Sequence, residues 1–519
     1  MGDKGKTVII NTGLILLFIM TFIMGAILKN KIDTRAVFAK VKDSKIVLYE
    51  GPKSLKDAAK EDLLATSEKQ RDFSLMHCID TLVSVNGHEL YVYDTNVNHT
   101  YQWVSNYLPP ISRTPVTYFD FEGTVFVEVK VPDMRLDSVQ ISPKEYGIEP
   151  EIDKDNHTVT FLISNPDSYT VVFNNSVERA VHIFANPIEK NPPKDGDEGV
   201  IFIGPGEWKI ENIALEDNQT LYIAGGAVVH GTIQGNYVQN VKVKGRGIVD
   251  GSLFAGWQGK EAHIPINFVG CKNIEVEDLL FLNSNAWTFN SFESKEAKIS
   301  NIKIISPRPN GDGITLQSCE NFLVQNSFVR SWDDSLVVKN YGANTDNITF
   351  KNMQVWTDLA QSMEVGYETN KGKKEDARIS RVAFEDVTVL YNFHKPVISI
   401  HNADDALVEE ISFKNITVEN AFMGSGDAGE NNQLIDLGII NNSNWSTTKE
   451  RGQIRNITID GVNVLSGDFP PSKIAGFDKL HTIENVMIKN LNILGKSIKD
   501  ANDGKFVIDG ATTKNITIE

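Results

Sequence analysis

Three aspartates form a set whose type and spacing suit chemistry. Asp312 lies in Asn310-Gly311-Asp312-Gly313, and Asp333 and Asp334 lie in Trp332-Asp333-Asp334-Ser335. Each motif ends a turn and begins a short apolar run. Taken singly, Asp-Gly and Asp-Asp are ordinary turn residues. Their separation, however, matches one short rung of the repeating pattern that surrounds them. Stacking would then gather three carboxylates on one exposed face. Crowded acids resist simultaneous ionisation, so at least one pKa should rise and provide a proton donor near neutral pH. Cleavage of a glycosidic bond needs that combination: a protonated acid for the leaving oxygen, and a carboxylate for water or for the anomeric carbon.

The elements that position these acids are short strands. From Val200 onward a phrase recurs in which an Asn precedes two β-branched stretches: NVKVKGRGIVDG, NIEVEDLLFLNS, NFLVQNSFVRS, NITFKNMQVWT, NITIDGVNVLSG and others. Its irregular spacing fits loops of variable length inserted into a constant rung. No unit can bury its apolar face alone, and stacking the coils as parallel strands predicts a right-handed parallel β-helix over 191–519. The recurrent Asn-Ile-Thr also matches glycosylation acceptors, but an asparagine stacked at each turn explains its position more economically. Before the boundary at KNPPKDGDEG, residues 36–190 alternate with strand period, as in TVFVEVKV and TVTFLI, and predict an N-terminal β-sandwich with one helical excursion at 54–64. The fold class expected is therefore all-β.

Charge and cysteine usage exclude other functions. Lys and Arg number 51 against 68 Asp and Glu, a net charge of −17, with no long basic run, so no nucleic-acid partner is expected. Cys78, Cys271 and Cys319 stand far apart, as buried thiols rather than a disulfide framework. No metal-ligand spacing or phosphate-cradling loop occurs, so no metal or cofactor is expected. Residues 7–28 carry no charge and are flanked by Lys4, Lys6, Lys29 and Lys31. A run of that length can cross a bilayer. It predicts a signal anchor, or a secretory signal peptide, within 1–35, with the body of the chain outside the cytoplasm and the membrane met only through this segment.

The run NGDGITLQSCENFLVQNSFVRSWDDSLVVKN at 310–340 resembles the polygalacturonase family, glycoside hydrolase family 28. The resemblance extends over about 200–420. It implies that Asp333 protonates the leaving group, that Asp312 and Asp334 position and deprotonate water, and that the anomeric configuration inverts. Asn310 and Lys339 match neighbours that organise such a site. Two departures bear on the substrate. Gln361 falls where the family places a histidine, with Glu364 an added acid close by, and Ser399-Ile400-His401 replaces an Arg-Ile-Lys step. In pectin-cleaving members that basic pair grips a carboxylate, through geometry that serine and histidine cannot copy. The stretch 115–189 further resembles the N-terminal sandwich of dextranases and isopullulanases, glycoside hydrolase family 49, which act on neutral glucans. The implied substrate is an extracellular poly- or oligosaccharide, pectin-like or neutral.

Lesser candidates surround this core. Gln361, Glu364 and His401 would bind sugar hydroxyls or tune the acids. Trp332 and Trp287 would offer platforms for sugar rings. Asp404-Asp405 reads as a solvated turn, and the polar stretch 424–451 as a wall or cover of the cleft. Two rival functions remain at this level: a polysaccharide lyase on the same scaffold, and a non-catalytic surface protein that binds carbohydrate.

Overall fold

A computed structural model describes residues 8–10, 41, 43–62, 75–97, 113–176, 180–254, 262–421 and 433–519. Two sheets form the N-terminal part. The larger runs in the order Val8–Ile10, Lys45–Leu48, Arg113–Glu122, Val181–Pro187, Asp167–Phe173, Val139–Ser142, with Tyr93–Asn96 also paired to Arg113–Glu122. The smaller runs Glu151–Asp153, Thr158–Ile163, Val125–Lys130, Leu82–Val85, His88–Glu89. Alternation explains their packing: Val125, Val127, Val129, Val159 and Phe161 of one sheet meet Phe119, Phe121, Tyr169, Val171 and Ile183 of the other in one core. The helical excursion forms as Lys53–Asp62.

From Val200–Ile203 to Thr513–Ile518 the chain winds as stacked, almost wholly parallel strands. The rungs that matter here are Phe289–Phe292, Ile314–Gln317, Leu336–Asn340, Met363–Thr369, Ile398–Asn402 and Ile435–Ile439, paired in that order. Their register sets Phe289, Ile314, Leu336, Met363, Ile398 and Ile435 one above another inside the coil. The strand period of two then turns Asn290, Thr315, Glu364, Ser399 and Asp436 outward. The asparagines that begin the phrases adopt positive φ and stack: Asn273 donates to Asn240 at 2.7 Å, and Asn485 to Asn456 and Asn515 to Asn485 at 3.0 Å each. Asn tolerates the left-handed turn that most residues resist, and its amide closes the ladder.

Two expectations change, and a third falls largely outside the described residues. Of residues 7–28, only Val8–Ile10 are described, as a strand antiparallel to Lys45–Leu48; the rest of that call lies outside the described residues. No described helix is long and apolar enough to cross a membrane. The stretch 424–451 is not simply a loop, because its centre supplies the rung strand Ile435–Ile439. The apolar LIDLGII within it already carried strand alternation that the polar flanks obscured. Asp404 is fully buried rather than solvated and accepts the Thr447 and Thr448 N–H groups at 2.7 Å each. It pins the following loop to the coil. The three cysteines are free and buried, as expected.

Candidate active site

The rung register brings the three aspartates together. The Gly313 N–H donates to Asp334 O at 2.8 Å and the Ile314 N–H to Ser335 O at 2.9 Å, so the two motifs sit directly above one another. Gly313 allows this approach: a Cβ there would lie 2.3 Å from Val329 Cγ1 and 2.5 Å from Ser335 O. Behind the turns runs a buried ladder of hydroxyls. Ser331 pairs with Ser335 at 2.7 Å, Ser335 with Thr357 and Thr357 with Ser362 at 2.8 Å each, and Asn392 donates to Ser362 at 3.0 Å. Ser331 also donates to Asp333 O at 2.6 Å. The turns are thereby held without using the carboxylates.

Each carboxylate has its own partners. Asp333 accepts the Asn310 N–H at 2.7 Å and the Asp334 N–H at 3.0 Å. Asp334 accepts the Gln361 N–H at 3.2 Å. Asp312 faces Thr315 Oγ1 at 3.4 Å and Lys339 Nζ at 3.5 Å. The side chains are more recessed than an exposed face implies, with Asp312, Asp333 and Asp334 only 3%, 7% and 8% exposed. Burial is the main cause that raises Asp312 to about 7, with Lys339 opposing and Asp333 and Glu368 adding to it. Burial, then repulsion from Asp333 and Asp312, holds Asp334 well above the usual carboxylate range. Asp312 and Asp334 interact closely enough to titrate together, and the pair keeps a proton at neutral pH.

Lys339 is clamped between Asp312 and Glu368, 3.3 Å from Glu368 Oε2, and lies 5.9 Å from the Trp287 ring centroid. Tyr341 Oη donates to Glu368 at 3.2 Å. Burial disfavours the Lys339 charge, but these carboxylates outweigh it and keep the ammonium protonated. One rung on, Gln361 reaches Tyr367 Oη with its amide at 3.3 Å.

His401 lies between two carboxylates. Its Nδ1 is 3.0 Å from both Glu364 oxygens, its Nε2 is 3.2 Å from Asp436, and Tyr367 stacks on its face at 4.5 Å. Burial opposes its charge, yet Glu364 and Asp436 raise it to about 10, so both ring nitrogens donate. Ser399 also donates to Glu364. Gly366 permits this packing, since a Cβ would lie 2.2 Å from His401 O.

Of the residues singled out from sequence, Asn310, Lys339 and Gln361 contact the acids directly, and Glu364 with His401 forms the adjacent unit. Trp332 does not join them. It is 2% exposed and packs against Leu359, so it presents no ring to a sugar. Sequence reasoning missed Glu368, Tyr367 and Asp436. The first two lie where the register shifts between Val338 and Asn340 against Met363–Thr369, and a repeat pattern does not signal such a bulge. Asp436 was legible only once Ile435–Ile439 is taken as a rung.

Residues 211–515 match the model of Glycosyl hydrolases family 28. The chain belongs to that family. A polygalacturonase of Brassica napus is 31% identical over 112 residues, covering 20% of this chain and 28% of that protein. A probable polygalacturonase of Vitis vinifera is 23% identical over 288 residues, 46% of this chain and 57% of that protein. The chain thus spans only about a quarter to somewhat over half of these relatives. Among solved structures, Dex49A from Penicillium minioluteum superposes with a TM-score of 0.54 at 14% identity, covering 86% of this chain and 95% of that one. That likeness concerns the fold, and it includes the region ahead of the coil.

Proposed function

We propose that this member of the family is an inverting glycoside hydrolase acting on an extracellular poly- or oligosaccharide. The observation that carries the proposal is the meeting of Asp312, Asp333 and Asp334 from adjacent rungs at one recessed site, two of them with raised pKa values. Asp333 protonates the departing oxygen. Asp312 and Asp334 orient and deprotonate the attacking water, which requires at least one of that pair ionised at the moment of attack. The proton held by the Asp312–Asp334 pair must leave it before water is deprotonated. Inversion further requires a separation above about 6.5 Å between Asp333 and the water-activating pair. Asn310 and Lys339 position the acids, and Gln361, Glu364 and His401 border the bound sugar. In this proposal 36–190 act as a sandwich domain beside the catalytic coil of 191–519, and 7–28 export or anchor the chain.

Asp333→Asn tests the assignment. Turnover should fall by about 10²–10⁴-fold while oligosaccharide binding persists. Full retention of turnover would remove Asp333 from the chemistry. Proton NMR of the first product formed reads the stereochemistry directly, and a product of retained configuration would exclude the inverting route.

A further inference from the structure

The outward face of the rungs carrying the acids continues in both directions, and its chemistry is uneven in an informative way. On the N-terminal side it is a ladder of amides. Asn267 donates to Gln234 at 3.0 Å, Asn290 donates to Asn267 at 2.7 Å, and Gln317 donates to Asn290. Gln317 is paired in register with Lys339, and Asn290 with Thr315, the partner of Asp312, so the ladder leads to the acids. An amide nitrogen carries two N–H groups, and each of these links uses one. The other makes no hydrogen bond among the described residues, in a ladder where Asn290 and Gln317 are 4% and 2% exposed. Successive rungs stand about 4.8 Å apart, a step comparable with the length of a pyranose unit.

On the C-terminal side the face is acidic. His401 stands on this face, and Glu364 and Asp436 occupy both of its ring nitrogens. Two carboxylates around one imidazolium leave an excess of negative charge, with no N–H of the ring free to receive a substrate anion. Lys339 is likewise held between Asp312 and Glu368. Lys473, which shares the register of Asp436, stands two rungs beyond His401. Between these groups lies Gln361. Its side chain is 1% exposed, and its Oε1 has no hydrogen-bond partner among the described residues. A buried acceptor beside the acids calls for a donor. A sugar hydroxyl supplies one.

We propose that the amide ladder Asn267–Asn290–Gln317 on one side of the acids, and Gln361 with the Glu364–His401–Asp436 unit on the other, are subsites for uncharged sugar units, and that the second of them repels uronates. This rests on the glycoside hydrolase reading and names the substrate class within it: a neutral glycan. Gln361 and the amides accept and donate to hydroxyls, while Asp436 and Glu364 disfavour an anion through like-charge repulsion.

The full chain is assayed by reducing-end release on dextran, a neutral galactan, polygalacturonate and fully methyl-esterified homogalacturonan. The last two share a backbone and differ in charge. At least one uncharged polymer should be cleaved with kcat/KM about 100-fold above that for polygalacturonate. Equal or faster cleavage of polygalacturonate overturns the inference. Asp436→Asn should shift the ratio of uronate to neutral cleavage about tenfold toward uronate, and an unchanged ratio removes Asp436 from the selection. Binding is measured separately by calorimetry on Asp333→Asn with neutral and uronate oligosaccharides from the same four polymers. Tighter binding of the neutral set supports the subsites even if no polymer is cleaved, an outcome that would refute hydrolysis alone. Tighter uronate binding, or none of either, overturns the subsites. A parallel Gln361→Leu protein, checked for an unaltered melting temperature, should raise KM for the neutral substrate more than it lowers kcat.

Discussion

At the scale of single residues, the site is governed by burial acting on carboxylates that cannot all ionise. Asp312, raised to about 7 from an ordinary 3.8, must lose its proton to help activate water. The pH profile of kcat/KM should therefore have its acid limb near pH 7. An acid limb near pH 4 would contradict the raised Asp312. The same shift has a cost in stability. The folded chain binds more protons than the unfolded one between about 3.8 and about 7, so the contribution of Asp312 to stability falls as pH rises through that window. Asp312→Asn removes the buried charge. It should melt above the wild type at pH 8 and level with it near pH 3.5, as followed by circular dichroism. His401 shifts stability in the same direction, over a higher window. Its folded value of about 10 exceeds the ordinary 6.5, so its stabilising pairs are fully formed below 6.5 and are lost as pH rises toward 10.

At the scale of elements, the rung turn decides how well the coil is specified. Asn485 combines a φ of 57° with two ladder bonds, one to Asn456 and one from Asn515. Asn485→Ala loses both bonds and the short polar side chain that makes asparagine tolerant of a left-handed turn, for an expected loss of about 2–3 kcal/mol. Asn485→Gly keeps the backbone freedom and should lose about 1 kcal/mol less. Chemical denaturation compares the two, and an equal loss would mean that the amide bonds alone matter. These asparagines were legible in the sequence because so few residues suit that turn. The bulge at Met363–Thr369 was not. It brings Tyr367 over His401 and Glu368 to Lys339, and it depends on the length of one rung relative to its neighbours, which the residues of the segment do not announce.

At the scale of the whole molecule, the sandwich and the coil share a buried seam. Tyr91, Tyr93, Tyr118 and Phe184 from the sheets pack with Val228, Ile248, Leu280, Phe328 and Trp356 from the coil. Within the seam Arg246 Nε pairs with Asp120 at 2.9 Å and Arg246 also reaches Asp278 at 2.6 Å, while Arg330 links Asp358 and His182. Asp120 is fully buried. Asp120→Ala leaves the guanidinium short of a partner in a dry interface and should destabilise the chain by about 3–5 kcal/mol. Differential scanning calorimetry should show the loss in one cooperative transition covering both parts, since neither can expose the seam without solvating these charges. Two separated transitions would mean that the sheets and the coil unfold independently.

The sequence alone determined the all-β composition, the rung repeat, the stacking asparagines and the pairing of the two aspartate motifs. Each of these is a local choice repeated along the chain: a strand period of two, an Asn where φ must be positive, an Asp-Gly or Asp-Asp where a turn ends. Tertiary structure alone decided that Asp312 and Asp334 are nearly buried, that Trp332 is buried against Leu359, that His401 is held as a cation between Glu364 and Asp436, and that Arg246 meets Asp120 from 126 residues away. Those outcomes depend on which rung lies over which and on how much water the packing leaves. Desolvation and charge pairing are properties of a place in three dimensions, and no residue carries them in its own type.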